Sequence, residues 1–349
     1  MYSKTLHSFS LLTAIFTVFL IAVGASVTST GSGDAVPDWP LSYGTLFPRM
    51  VGGVLYEHGH RLVAGTVGIL IAILMIWLLR SKQPKYVKVL GVVAFISVLL
   101  QAILGGLRVL IISDPKLQDV ATKIFSVSHV EPVRIAVAIV HATLAEIVLC
   151  MTFLISLFTS RAWKNFEVEQ INTGFKIARL YTLTFVFAFI QVLLGALVRH
   201  TQSGNIIPDF PLSFGKLIPP FHNLPYDPNA PFPITYAELQ FKVALHFAHR
   251  VWAFVVAGVG IYTSILAIRK SVKILRSFAS LWIFLVVFQI LLGAFVIWSK
   301  LSVAVTVLHV ATGATLLGTA LILAVLGWKG ALRYIVLEQK ELIPSKLGV

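Results

Sequence analysis

Apolar runs long enough to cross a membrane recur along the whole 349-residue chain. Eight can be placed, at about residues 8–29, 58–79, 87–110, 133–158, 176–199, 246–268, 276–298 and 303–327. A run of about 18 or more apolar residues is the mark of a spanning helix, and lipid admits only helices and closed barrels. Long helices buried in a large soluble protein are the alternative. That core would not need 57% hydrophobic against 12% charged residues. The expected fold is therefore an all-α integral membrane protein with eight transmembrane helices. The first run, from about Phe9 to Val27, is long for a signal peptide and no small-x-small cleavage site follows it, so it is read as the first helix.

A formal charge of +14 raises the question of nucleic acid, and its placement answers it. The basic residues cluster between alternate apolar runs. Lys4, then Arg80, Lys82, Lys85 and Lys88, then Arg161, Lys164, Lys176 and Arg179 fall on one side. Arg269, Lys270, Lys273 and Arg276 join them, as do Lys329, Arg333, Lys340 and Lys346 in the tail. Seventeen of the 28 basic residues thus mark one face, which the positive-inside rule makes cytoplasmic, with both termini inside. Membrane lipid is the expected surface and no nucleic acid is expected. No Arg- and Ser-rich transit segment precedes the first run, which favours a prokaryotic cytoplasmic membrane. The single cysteine, Cys150, lies within an apolar run and reads as a small buried hydrophobe.

The two longest loops, about 30–57 and 200–245, fall on the opposite, external side and match each other. Thr30–Gly44 (TGSGDAVPDWPLSYG) reappears at an offset of 171 as Thr201–Gly215 (TQSGNIIPDFPLSFG). His60-Arg61 answers to His249-Arg250, Gln101 and Gly105 to Gln289 and Gly293, and His141 to His309. Their offsets of 189, 188 and 168 imply an insertion in the fifth connection's region, loop 200–245, and a compensating one between the third and fourth spans. The chain is a tandem duplication, with an N-terminal half at 1–160 and a C-terminal half at 161–349. Four spans per half is even, so both halves enter the membrane in the same sense. Two tandem four-helix bundles related by a pseudo-two-fold along the membrane normal are expected.

Four of the ten histidines obey the repeat: His60 and His141, His249 and His309. His60 and His249 are expected near the external ends of their spans, with His141 and His309 a few residues inside theirs. At about 1.5 Å per residue all four then reach similar depths in the external half of the bilayer. One inward-facing histidine from each of two helices at one level is a donor pair for the two axial positions of a haem. Histidines hydrogen-bonded between helices as packing glue are the plainer alternative. Zinc is disfavoured, because no third Cys, His or carboxylate recurs beside each pair. Arg61 and Arg250 each follow a histidine at the external interface, where a guanidinium suits a haem propionate or simply snorkels to water. The Pro37-Asp38-Trp39-Pro40 and Pro208-Asp209-Phe210-Pro211 tracts are expected to form rigid lids. Gln101 and Gln289 are explained by interhelical hydrogen bonding beside a close-packed glycine.

The halves differ at Glu57, three residues before His60, where the second half has His246. One turn from a ligand on the same face, a carboxylate can take a proton or orient water. Pairing with Arg61 is the alternative. His58, His200 and His246 are left without a role.

These residues together resemble the haem A synthase family, over nearly the whole chain. The resemblance rests on the duplicated four-helix halves, Glu57-x-x-His60-Arg61, His141, His249-Arg250, His309 and both Pro-Asp-aromatic-Pro loops. It implies oxidation of a ring methyl of haem O to a formyl, through hydroxylated forms, to give haem A. It implies a haem b cofactor in the second half with His249 and His309 as axial ligands. It places the substrate haem in the first half, with His60 and His141 at its iron and Glu57 as the acidic residue needed for turnover. Many bacterial members carry a cysteine pair in the first external loop; loop 30–57 has none, which leaves the electron donor open, quinol included. With both histidines on the substrate iron, oxygen has no free position there. The methyl is then expected to lose electrons to an acceptor while water attacks and Glu57 accepts protons. A b-type cytochrome that only transfers electrons and a haem transporter are the competing readings. The first would stack haems across both leaflets, and the second would need polar residues in the cytoplasmic half. Homo-oligomerisation and association with haem O synthase stay open, with no residue specifying either.

Overall fold

A spanning helix in lipid must satisfy its backbone internally, and this chain does so with helices of at least 26 residues. The structure, a computed structural model, describes residues 3–165, 174–229, 234–270 and 273–341. Its helices are α1 (Lys4–Ser29), α2 (Gly53–Arg80), α3 (Lys85–Ser113), α4 (Pro115–Phe125), α5 (Glu131–Thr159), α6 (Arg161–Lys164), α7 (Gly174–His200), α8 (Tyr236–Lys270), α9 (Lys273–Trp298) and α10 (Val303–Glu341). Among the described residues, all but α4 and α6 are long and apolar enough to cross a membrane, and the protein is a multi-pass membrane protein. Lys346, and the side chains of Lys270, Arg333 and Lys340, lie outside the described residues.

Hydroxyls inside the spans are folded back onto their own helix. Thr13 donates to the Phe9 carbonyl at 2.9 Å and Thr17 to the Thr13 carbonyl at 2.8 Å. Large apolar side chains such as Phe19, Ile69, Leu99 and Phe284 remain exposed on the outer faces, where lipid would cover them.

In the first half α1 packs on α2, α2 on α3, α3 on α5, and α5 on α1, closing a four-helix ring. In the second half α7, α8, α9 and α10 close a ring in the same order. The rings meet where α10 touches α1 and α5, and where α5 touches α7. Accordingly α10 and α5 are the most buried spans, at 67% and 44%. Phe153 of α5 seats on Gly318 of α10 so closely that a Cβ there would lie 2.5 Å from its ring. At the lid-bearing end Arg199 of α7 donates to the Ala25 carbonyl and, at 2.8 Å, to Ser29 of α1.

Two helix starts near the lids lie earlier than the sequence reading places them. α2 begins at Gly53, where a Cβ would come within 2.7 Å of Ala35 of the first lid. α8 begins ten residues earlier than expected, at Tyr236. The inserted stretch after the second lid packs on that added turn. Leu224 and Ile207 bury against Leu239 and Val243, and Tyr236 and Gln240 both donate to the Phe221 carbonyl. His60 and His249 are therefore not at helix ends. They lie seven and thirteen residues inside α2 and α8, about 10 and 20 Å along the axis. The compensating insertion in the first half is α4, capped by Asp114, which accepts from the Lys116 amide at 2.9 Å.

Tight helix contacts predict a sensitive position. A Cβ on Gly260 of α8 would fall within 2.8 Å of three ring carbons of Trp282, which is fully buried on α9. Gly260→Ala should lower stability by about 1–3 kcal/mol through overpacking. Thermal unfolding in detergent reads this, and an unchanged midpoint would contradict it.

Candidate functional site

The four repeat histidines share one local environment. His60 on α2, His141 on α5, His249 on α8 and His309 on α10 each lay the imidazole against a glycine of the preceding long helix. The glycines are Gly24, Gly105, Gly195 and Gly293, and a Cβ there would lie 3.0, 3.3, 3.2 and 3.2 Å from the ring Cε1. Only a residue without a side chain lets helix backbone and ring approach so closely. A carboxamide sits one turn before three of these glycines. Gln101 donates to the His141 carbonyl at 2.8 Å and Gln191 to the His249 carbonyl at 3.0 Å. The Gln289 amide nitrogen lies 3.4 Å from Nε2 of His309. On α1 the equivalent residue is Leu20.

Within each half the two rings are close enough to interact electrostatically, His60 with His141 and His249 with His309. Nδ1 of His60, His141 and His309 is buried without a hydrogen-bond partner, although each residue keeps some accessible surface. Two imidazoles per half form a donor set for a metal that brings its own equatorial ligands, as haem iron does. The glycine seats keep those rings from being packed over by side chains, so the residues present fit such a group.

Above each histidine pair lies a lid with a repeated construction. The Asp38 carboxylate accepts from the amides of Tyr43 and Gly44 at 2.7 and 2.8 Å. Asp209 accepts from Phe214 and Gly215 at 2.7 Å each. Gly44 and Gly215 have φ of 71° and 75°, which favours glycine. Burial works against the charged form of both aspartates. The amide donors outweigh it and hold each carboxyl below the usual carboxylate range. That contribution to lid stability is present above the unfolded pKa and is lost as the pH falls through the lower folded value.

The arginines fasten these lids. Arg61 donates to the carbonyls of Asp38 and Leu41 at 2.8 and 2.7 Å, and to Ser42 at 3.2 Å. Arg250 donates to the carbonyls of Asp209 and Leu212 at 2.7 and 3.1 Å. Beyond this shared clamp the halves part. Glu57 is buried, pairs with Arg61 at 2.7 Å, and accepts from the Val36 amide at 2.9 Å. In the second half Arg250 meets His246 at 3.2 Å and turns its other nitrogen to the Ile207 carbonyl at 3.0 Å. His58, unassigned from sequence, bonds Ser42 at 2.8 Å and so supports the first lid. Trp39 lies on Gly106, where a Cβ would come 2.5 Å from the indole; the second-half lid has the smaller Phe210 and, at the equivalent helix position, Ala294. Arg134 joins Asp34 at 2.9 Å to Glu131 at 2.7 Å.

Sequence reading took Gly105 and Gly293 as close-packed glycines without their histidine contacts, and missed Gly24, Gly195, Gln191 and the Arg134 cluster. The signal for Gly195 and Gln191 was present: Gln-x-x-x-Gly occurs at Gln101, Gln191 and Gln289, each preceding its histidine's helix.

Residues 51–321 match the family model COX15-CtaA, described as cytochrome oxidase assembly protein. That stretch contains Glu57, both arginines of the lid clamps and all four histidines, and leaves out α1 and most of the first lid. Among the relatives is the heme A synthase of Alkalihalophilus pseudofirmus, 25% identical over 315 residues, covering 88% of this chain and 92% of that protein. The heme A synthase of Halalkalibacterium halodurans is 28% identical over 252 residues, 71% of each chain. That of Bacillus cereus strain G9842 is 27% identical over 308 residues, 86% of each.

Charge-assisted hydrogen bonds to the lid carbonyls predict how the second lid loosens. Arg250→Ala should speed amide exchange across 207–215 by about 10- to 100-fold, in keeping with the strength of such bonds. Hydrogen–deuterium exchange by mass spectrometry measures it, and protection equal to the parent would refute the clamp.

Proposed function

The chain belongs to the COX15-CtaA family of cytochrome oxidase assembly proteins, and on that footing we propose that it is a haem A synthase, oxidising a ring methyl of haem O to a formyl group. The observation that carries this reading is the fourfold histidine–glycine seat, two per half, beneath lids of common design. We read the two rings of helices as bundles related by a pseudo-two-fold along the membrane normal. Their identical order of packing and the symmetric meeting of α1 with α10 and α5 with α7 support it. The half 1–160 is assigned the substrate and the half 161–349 the cofactor. The lids face outward in this reading and the Lys- and Arg-rich ends face the cytoplasm of a bacterial cell.

His249 and His309 are the residues that would hold haem b, and His60 and His141 would hold the substrate. Haem b, when bound, supplies a one-electron redox centre. With water as oxygen source, converting a methyl to a formyl releases four electrons and four protons, so the first half needs a proton acceptor. Glu57 is placed for that work: three residues before His60 it lies one turn away on the same face. Arg61 and the Val36 amide fix the direction of its carboxyl group. Each carboxylate oxygen has a second lone pair, so a water or proton can be accepted without breaking either contact. The second half has His246 at that position, and Arg250 engages it instead.

The test combines product identity with one substitution. Haems extracted from the purified chain and identified by mass should include haem O or haem A beside haem b. Glu57→Gln should keep the second-half haem while conversion falls by about 10²- to 10⁴-fold, the range for a general base. Haem b alone in the extract would favour an electron-carrying cytochrome, and full conversion by Glu57→Gln would remove Glu57 from the proposed proton-accepting role. A formyl oxygen drawn from O₂ in the first step would exclude water as its source.

A further inference from the structure

One guanidinium in the first-half site has no hydrogen-bond or ion-pair partner among the described residues. Arg108 lies on α3, three residues beyond Gly105, the glycine that seats His141. Three residues carry it about 4.5 Å along the helix axis, from the level of the histidine toward the lid. There its guanidinium lies against Gly33 of the first lid. A Cβ on Gly33 would be 2.9 Å from Nη1 and nearer still to Nη2, so only glycine leaves this side chain its place.

Every other arginine near the site is committed. Arg61 is taken by three lid acceptors and Glu57, and Arg134 by Asp34 and Glu131. Arg199 is taken by α1. Arg108 makes no hydrogen bond or ion pair among the described residues, although it is partly buried. The acidic groups that it senses at longer range are Asp34, Glu57 and Glu131, and each is already held by another arginine. Its charge also acts on His60, His141 and His200, so it belongs to the electrostatic surroundings of the first-half histidine pair. A buried cation without a partner is costly, and a guanidinium is shaped to take a carboxylate through two parallel N–H bonds. The second half has Val296 at the equivalent position, so this feature belongs to the first half alone.

We propose that Arg108 binds a carboxylate of the porphyrin substrate, pairing with a propionate beneath the first lid. Arg61 and Arg250, which the sequence suggests for that role, are also engaged in fastening the lids. This inference rests on the haem reading of the first-half site.

The test uses the full-length protein in lipid nanodiscs with its second-half haem in place. The probes are iron protoporphyrin as the free dicarboxylic acid and as its dimethyl ester, titrated by Soret absorbance. The parent should bind the acid more tightly than the ester. Arg108→Val should lower affinity for the acid by about 10- to 100-fold and leave the ester unchanged, while Arg108→Lys keeps most of the acid affinity. Arg108→Gln serves if the valine variant does not remain monodisperse with its second-half haem. Equal loss for acid and ester would show a merely structural role and overturn the proposal, as would a parent that does not distinguish the two. A first half that binds neither porphyrin would overturn the haem reading and this inference together.

Discussion

Everything at the centre of this protein depends on imidazole rings touching helix backbone. At four places a glycine lets one helix approach the ring that its neighbour presents, at a distance a methyl group would already crowd. That contact sets both the spacing of the helices and the direction of the ring. It also explains why the odd-numbered spans of each half carry glycine where their apolar composition would favour a larger side chain. Interhelical carboxamides add a polar tie at three of the four seats, where lipid offers no water to compete for it.

The sequence repeat gives two copies of one plan, and the copies differ in the polar groups around their histidines. The Asp-capped lid and its arginine clamp are common to both. Glu57 against His246, Arg108 against Val296, and the Trp39–Gly106 contact against Phe210 and Ala294 distinguish them. The first-half differences add one carboxylate and one unpaired cation around the histidines. A half that only retained a bound group would need neither. The asymmetry is chemical, set within rings of helices that pack in the same order.

The spans, the duplication and the four histidines were legible in the sequence because each depends on periodicity or identity at fixed offsets. The start of α8 was not. Residues 236–245 carry Glu238, Gln240 and Lys242 and look like loop; their helix is imposed by packing of Leu239 and Val243 on the second lid. The glycine seats were hidden for a related reason. Gly24 and Gly195 are unexceptional in apolar runs until the facing of neighbouring helices is known. Arg108 sits in a run of apolar residues and received no role from the sequence, since the lack of a partner shows only in three dimensions. Arg61 showed the converse: its place beside His60 suggested a ligand contact, and its donors go to lid carbonyls.

Leu20 has a consequence of its own. It stands where the other three seats have glutamine, so His60 is positioned by packing alone, without an amide tie across the helix gap. Packing contacts are short-ranged and yield continuously, whereas a hydrogen bond in an apolar medium must be broken outright. The Gln101 bond reaches His141 through its backbone carbonyl, so a glutamine amide stands beside a ring nitrogen only at His249 and His309. Among the described residues the first-half rings are held by packing, and the second-half rings by packing together with an amide contact. The two halves thus differ in how firmly their rings are held before any catalytic group is considered.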